Sequence, residues 1–140
     1  MLKRQIWWCA IALGGALASA SCASTPPSVR MVGSLDIPAA QGTVTATSAD
    51  NNNTNIVVDV HHLAPPDRVQ PGATTYVVWA RGPGRDSYQN LGGLRVDSDL
   101  HGRLQTVTPM RSFDVIITAE ASPMVTEPAS KRVLSATIER

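Results

Sequence analysis

A chain of 140 residues with a formal net charge of +1 is the size of one domain, which commonly takes roughly 100–200 residues, and this length excludes a multi-domain assembly. Setting aside Lys3 and Arg4, which belong to the leader described below, ten basic side chains face eleven acidic ones. They alternate in sign along the chain, which excludes the concentrated basic face that nucleic-acid binding requires.

The chain opens with Lys3 and Arg4, an apolar run over residues 6–17, and the small residues Ala18, Ser19, Ala20 and Ser21 before Cys22. Basic, apolar and small-residue segments in this order make a secretory signal peptide over residues 1–21. As a helix the apolar run would reach about 18 Å, short of the roughly 30 Å hydrocarbon core, so it is not expected to remain as a membrane span. Ala18-Ser19-Ala20-Ser21-Cys22 resembles a bacterial lipobox, with Ser19 standing where Leu is the commoner residue. That resemblance implies cleavage before Cys22 and lipidation of Cys22 by a thioether-linked diacylglycerol, with fatty acyl chains such as palmitate. The alternative is ordinary signal-peptidase cleavage after Ala20, leaving a soluble protein that begins at Ser21. If Cys9 is removed and Cys22 acylated, the mature chain keeps no thiol for a disulfide, although an oxidising compartment would permit one. Residues 22–32, with Ser, Thr and Pro26-Pro27, read as a lipid-anchored tether. In Gram-negative lipoproteins Asp after the lipidated Cys retains the protein in the inner membrane. Ala23 at that position implies, in such an organism, delivery to the outer membrane.

Residues 33–140 are expected to form an all-β domain. Ten Gly and ten Pro punctuate a chain rich in Val and Thr, a composition of short strands and turns. Candidate strands are 34–37, 42–47, 54–63, 74–81, 90–96, 103–108, 112–121 and 132–139. Between them lie Asn51-Asn52-Asn53, Pro65-Pro66-Asp67, Pro71-Gly72, Gly82-Pro83-Gly84 and Asp97-Ser98-Asp99 with Gly102. Seven or eight strands so spaced predict a Greek-key β-sandwich or barrel. Period-two alternation places Ile56, Val58 and Val60 on a core face, with Val57, Asp59 and His61 opposite. It likewise sends Phe113, Val115 and Ile117 inward, with Leu134, Ala136 and Ile138. Tyr76-Val77-Val78-Trp79 is apolar on both faces; Trp79 is expected to be the main aromatic of the core.

Tyr76-Val77-Val78-Trp79, Asn90-Leu91-Gly92-Gly93-Leu94, the segment from Asp97 to Gly102, and the run from Val115 to Pro123 with Glu120 are similar in order and spacing to the C-terminal extracytoplasmic domain of anti-sigma-K-type factors. The resemblance covers roughly residues 54–134 and implies an immunoglobulin-like sandwich in the cell envelope. Glu120-Ala121-Ser122-Pro123 departs from the family's Glu-Pro-Gly-Gly-Ser-Pro. The chain has neither the family's cytoplasmic sigma-binding part nor its membrane span, so control of a sigma factor is not carried over.

His61, His62 and His101 are the only histidines, and Met31, Met110 and Met124 follow the leader; exported copper proteins use such ligands. Neighbours on a strand point to opposite faces, so His61 and His62 share an ion only across a bulge; the expected reading is surface histidines at a strand end, with no metal site. Asp97-Ser98-Asp99-Leu100-His101-Gly102 has the opening of a calcium loop, but its twelfth position is Thr108 where a Glu is needed; a hairpin turn is expected. Ser98 or Ser112 with His101 and Asp99 or Asp114 could be combined for hydrolysis, without any nucleophile motif. The loop with Arg81, Arg85 and Tyr88 is a candidate partner surface. The sequence therefore predicts a non-enzymatic, lipid-anchored envelope module without a cofactor, bound to the membrane through its N-terminal lipid and engaging an envelope protein or glycan. A periplasmic copper-binding protein is the alternative, and a divergent hydrolase the third reading.

Overall fold

Ile56, Val58 and Val60 are completely buried, while Asn55, Val57 and Asp59, which alternate with them, are partly exposed and His61 is exposed. This alternation organises a computed structural model that describes residues 26–140. The signal segment 1–21, Cys22 and Ala23 lie outside the described residues.

Nine strands form two antiparallel sheets among these residues. They are β1 (Ser28–Arg30), β2 (Val32–Gly33), β3 (Gln41–Ser48), β4 (Thr54–His61), β5 (Thr75–Arg81), β6 (Gln89–Leu94), β7 (Gly102–Thr108), β8 (Phe113–Glu120) and β9 (Arg132–Ile138). One sheet has the order β1-β3-β4-β7 and the other β2-β9-β8-β5-β6. Strands β3, β4 and β7 facing β9, β8, β5 and β6 reproduce the immunoglobulin-like arrangement in which the chain crosses between layers after β4, β6 and β7. The fold is an all-β sandwich. A single-turn helix, α1 (Pro66–Val69), fills one crossing, with Pro66 at its first position where no N–H is needed. No helix among the described residues is long and apolar enough to cross a membrane.

Two expectations need correction. Residues 34–37 form no strand: Ser34 and Asp36 close a turn through Asp36 N–H donating to Ser34 Oγ, and Leu35 is exposed. The pairing lies earlier, within the stretch expected as tether. Strand β1 pairs with β3, and β2 with β9. Met31 between them is buried and its N–H donates to Gly42 O at 2.8 Å. One extended segment thus switches sheets.

Trp79 is the second correction. Residues opposite one another in a ladder share a face. Tyr76, Val78 and Ala80 pair with Ala119, Ile117 and Val115, the inward set, so Tyr76 is the aromatic between the sheets. Trp79 pairs with Ile116 and lies on the outer face of the five-stranded sheet. It is nonetheless fully buried, in a second cluster with Val77 and Ile116 under Tyr88 and Val125. Its Nε1–H donates to Thr118 Oγ1 at 2.8 Å, and the Thr118 hydroxyl donates to Glu120 Oε1 at 2.6 Å. Glu120 is only 2% exposed and Oε1 also accepts the N–H groups of Ala129 and Ser130 at 3.0 and 3.3 Å. The carboxylate ties the long β8–β9 loop over the sheet. Glu120→Ala leaves these donors without their acceptor and is expected to cost about 2–4 kcal/mol of stability in denaturant unfolding.

The Tyr76 hydroxyl donates to Ala64 O at 2.6 Å, and burial, then the charge of Asp67, raises its pKa far above the ordinary tyrosine value. The folded chain holds the phenol neutral, whereas the unfolded chain ionises it near pH 10. Its contribution is therefore complete below about pH 10 and is lost as pH rises beyond. Tyr76→Phe is expected to be less stable at neutral pH and to lose less stability than the wild type between pH 9 and 11, measured by denaturant midpoints.

Candidate metal centre

The outer face of the four-stranded sheet is open to solvent and carries the side chains that alternation drives outward from β4. Asp59 and His61 are two residues apart on that strand and therefore share this face. Val60 pairs with Gly102 at the start of β7, so His101, one step beyond, arrives opposite His61. The ladder is prolonged by Leu63 N–H donating to Leu100 O at 3.1 Å.

Three side chains converge there. His61 Nε2 lies 2.8 Å and His101 Nε2 3.2 Å from the same oxygen, Asp59 Oδ1. The two rings stack with centroids 4.6 Å apart and 24° between their planes. Arg103, directly opposite Asp59 in the ladder, donates from Nη1 to the other oxygen, Oδ2, at 3.2 Å. His101 Nδ1 faces Asp97 Oδ2 at 3.8 Å. Side-chain exposures of 23% for Asp59, 35% for His101 and 58% for His61 leave the cluster reachable from solvent. Asp59, His61 and His101 could each offer one ligand atom, all within 4.8 Å of one another.

The tight turn in the crossing from β6 to β7 delivers His101. Asp97 Oδ1 accepts the N–H groups of Asp99 at 2.9 Å and His101 at 3.0 Å, an Asx turn that starts the reversal. Asp97 N–H donates to His101 O at 2.8 Å, and Leu100 takes the left-handed conformation with φ of 60°. The His101 N–H and then the Asp99 N–H hold the Asp97 carboxyl below the usual carboxylate range. The segment that begins like a calcium loop is thus a tight turn whose leading Asp is engaged by backbone. Thr108, at its twelfth position, is buried at the far end of β7.

His62 stays outside the cluster. Its φ of 57° turns the chain out of β4, and its ring lies 6.5 Å from that of His61, tilted by 51°. The methionines are elsewhere: Met31 is buried between the sheets, and Met110 lies against Gly82 at the opposite end. Ser112 is bonded to the backbone of Arg140 and Asp114 to Arg81 and Thr137, both at the end remote from His101. Among the described residues Ser98 makes no hydrogen bond to His101, so the structure assembles none of the serine combinations. At the end of β5, Arg81 is paired with Asp114 at 3.1 Å and stands 4.7 Å over the ring of Tyr88 in the following loop.

Sequence reasoning placed Asp59 and His61 on one face. It named His101 with His61 and His62 as possible ligands but did not bring His101 beside Asp59 and His61, nor count Asp59 among the ligands, because the approach of β7 to β4 joins residues 40 positions apart and no local pattern announces that register. No family model matches the chain, and no curated protein matches it.

Gly102 fixes the approach of His101: a Cβ there would lie 2.8 Å from Arg95 O, with Val60 Cγ2 at 3.2 Å. Gly102→Ala must force the start of β7 away from Arg95 or from Val60 of β4. It is expected to lower stability by about 1–3 kcal/mol, seen as a reduced denaturant midpoint at unchanged slope.

Proposed function

We propose that the protein is a non-enzymatic, lipid-anchored module of the bacterial cell envelope, held at Cys22 and offering the far end of its sandwich to an envelope protein or glycan. The observation that supports this reading is the polarity of the fold. Strand β1 runs antiparallel to β3, so the chain comes in from the end that carries loops 49–53, 82–88 and 109–112 and the C-terminal Arg140. Five residues lie between Cys22 and Ser28, a reach of about 20 Å over the six steps at full extension. A lipid at Cys22 therefore keeps that end close to the bilayer. The opposite end stands a strand length away, roughly 26 Å for eight residues.

Two features gather at the far end. One is the Asp59, His61 and His101 cluster. The other is a cleft of about 480 Å³ lined by Asp36, Arg68, Lys131 and Arg132 around Ile37 and Val133. Charged side chains around an apolar floor, on loops carried by a rigid sandwich, suit the recognition of a polar partner. The polarity also moves the candidate surface: the loop with Arg81 and Tyr88 belongs to the tethered end and faces the membrane in this reading. The resemblance to the extracytoplasmic domain of anti-sigma-K-type factors supports the same compartment, and Ala23 favours the outer membrane in a Gram-negative host.

Expressed in a bacterium with the lipoprotein pathway, the wild type should sediment with membranes and carry a diacylglycerol on Cys22 by intact-mass and peptide spectrometry. Cys22→Ser should lose the lipid and escape signal peptidase II. A mature protein that begins at Ser21 with no lipid attached would overturn the proposal.

A further inference from the structure

We propose that Asp59, His61 and His101 bind one divalent transition ion, zinc(II) or copper(II), at the end of the sandwich remote from the tether. Bonds of about 2.0–2.1 Å around a tetrahedral ion place its ligand atoms about 3.3 Å apart. The cluster already holds Asp59 Oδ1 at 2.8 and 3.2 Å from the two imidazole nitrogens, and all three atoms lie within 4.8 Å of one another. An ion therefore requires shifts smaller than a change of rotamer. Asp59 and His61 sit on β4, and His101 immediately precedes β7, whose ladder with β4 runs as far as Val60 and Gly102.

The surroundings are those that a metal site needs beyond its ligands. Arg103 occupies Asp59 Oδ2, which leaves Oδ1 turned toward the rings as a single-oxygen ligand. Asp97 Oδ2 stands 3.8 Å from Nδ1 of His101, beyond hydrogen-bond distance but placed to close on it when an ion is bound, which would complete the carboxylate–histidine–metal arrangement that sets the tautomer and strengthens the ligand. When an ion enters, the Nε2 lone pairs turn to it and the imidazole protons reside on Nδ1. The hydrogen bond of His101 Nε2 and the close contact of His61 Nε2 with Asp59 Oδ1 are exchanged for bonds to the ion, and an imidazolium would release one proton to water. His61 is more than half exposed, so solvent completes the coordination. Two imidazoles and a carboxylate suit borderline ions. They disfavour calcium, which takes oxygen ligands, and copper(I), which prefers sulfur.

The test uses the full-length expression product without a histidine tag, purified from whichever cell fraction holds it, stripped with chelator and titrated calorimetrically with zinc(II) and with copper(II). One ion per chain is expected. His61→Ala, His101→Ala and Asp59→Ala should each weaken binding by about 10-fold or more, and Asp97→Asn by about 10-fold, the scale of a lost outer-shell partner. His62→Ala should bind like the wild type. Copper(II) electron paramagnetic resonance should show two imidazole nitrogens in the wild type and one in either the His61 or the His101 variant. Thermal unfolding of each stripped variant separates lost ligation from lost fold. Equal weakening by His62→Ala and His101→Ala, or wild-type affinity in both Asp59→Ala and Asp97→Asn, would reduce the cluster to an exposed histidine pair and overturn the proposal.

Discussion

The constraint on which the structure turns is the register of β4. Its inward residues Ile56, Val58 and Val60 are completely buried, each contributing roughly 1.5–3 kcal/mol relative to exposure. A slip by one residue would exchange the two faces, burying Asp59 and His61 and exposing three aliphatic side chains. Glycine on both flanks reinforces the fit: Val60 pairs with Gly42 in β3 and with Gly102 in β7. Side chains there would meet Met31 Sδ at 2.9 Å and Arg95 O at 2.8 Å. The same register that fills the core therefore sets Asp59, His61 and His101 side by side, and the polar cluster is a by-product of apolar packing.

The two sheets treat their outer faces differently. That of the four-stranded sheet is half-exposed and polar, with Thr43, Thr45, Asn55, Asp59, Arg103 and Gln105 among its side chains. That of the five-stranded sheet is roofed by the β5–β6 and β8–β9 loops over Val77, Trp79 and Ile116. A buried Glu120 would be costly alone, but three hydrogen bonds to Oε1 turn it into the clasp of the roof. One face is thus committed to stability, while the other keeps its side chains available to solvent.

Much of this was legible from residue order. Alternation in 54–61, 113–117 and 134–138 found the core positions, and the turn signals found most boundaries, because burial on one face leaves a period of two that needs no tertiary knowledge. It failed where both faces are buried. In β5 five consecutive residues are covered, so no period distinguishes Tyr76 from Trp79; only pairing with β8 does. The first strands were missed because three- and two-residue strands beside Pro26-Pro27 carry too little pattern, although Val29, Met31 and Val32 are apolar residues close together. The candidate metal cluster was half visible. Asp59 and His61 follow from β4 alone, whereas His101 depends on a crossing of the chain between sheets and back.

The sheet switch at Met31 decides how the domain would carry a mechanical load. Strands β1 and β2 are short, but each is bonded to a different layer, and their hydrogen bonds run across the chain direction. Tension applied through an N-terminal anchor would act along the β1 axis and load those bonds in shear, together and not one after another. It would reach β3 through β1 and the Met31–Gly42 bond, and β9 through β2. A strand fastened to one layer could be peeled from its edge; here the pull is divided between both layers before either can part.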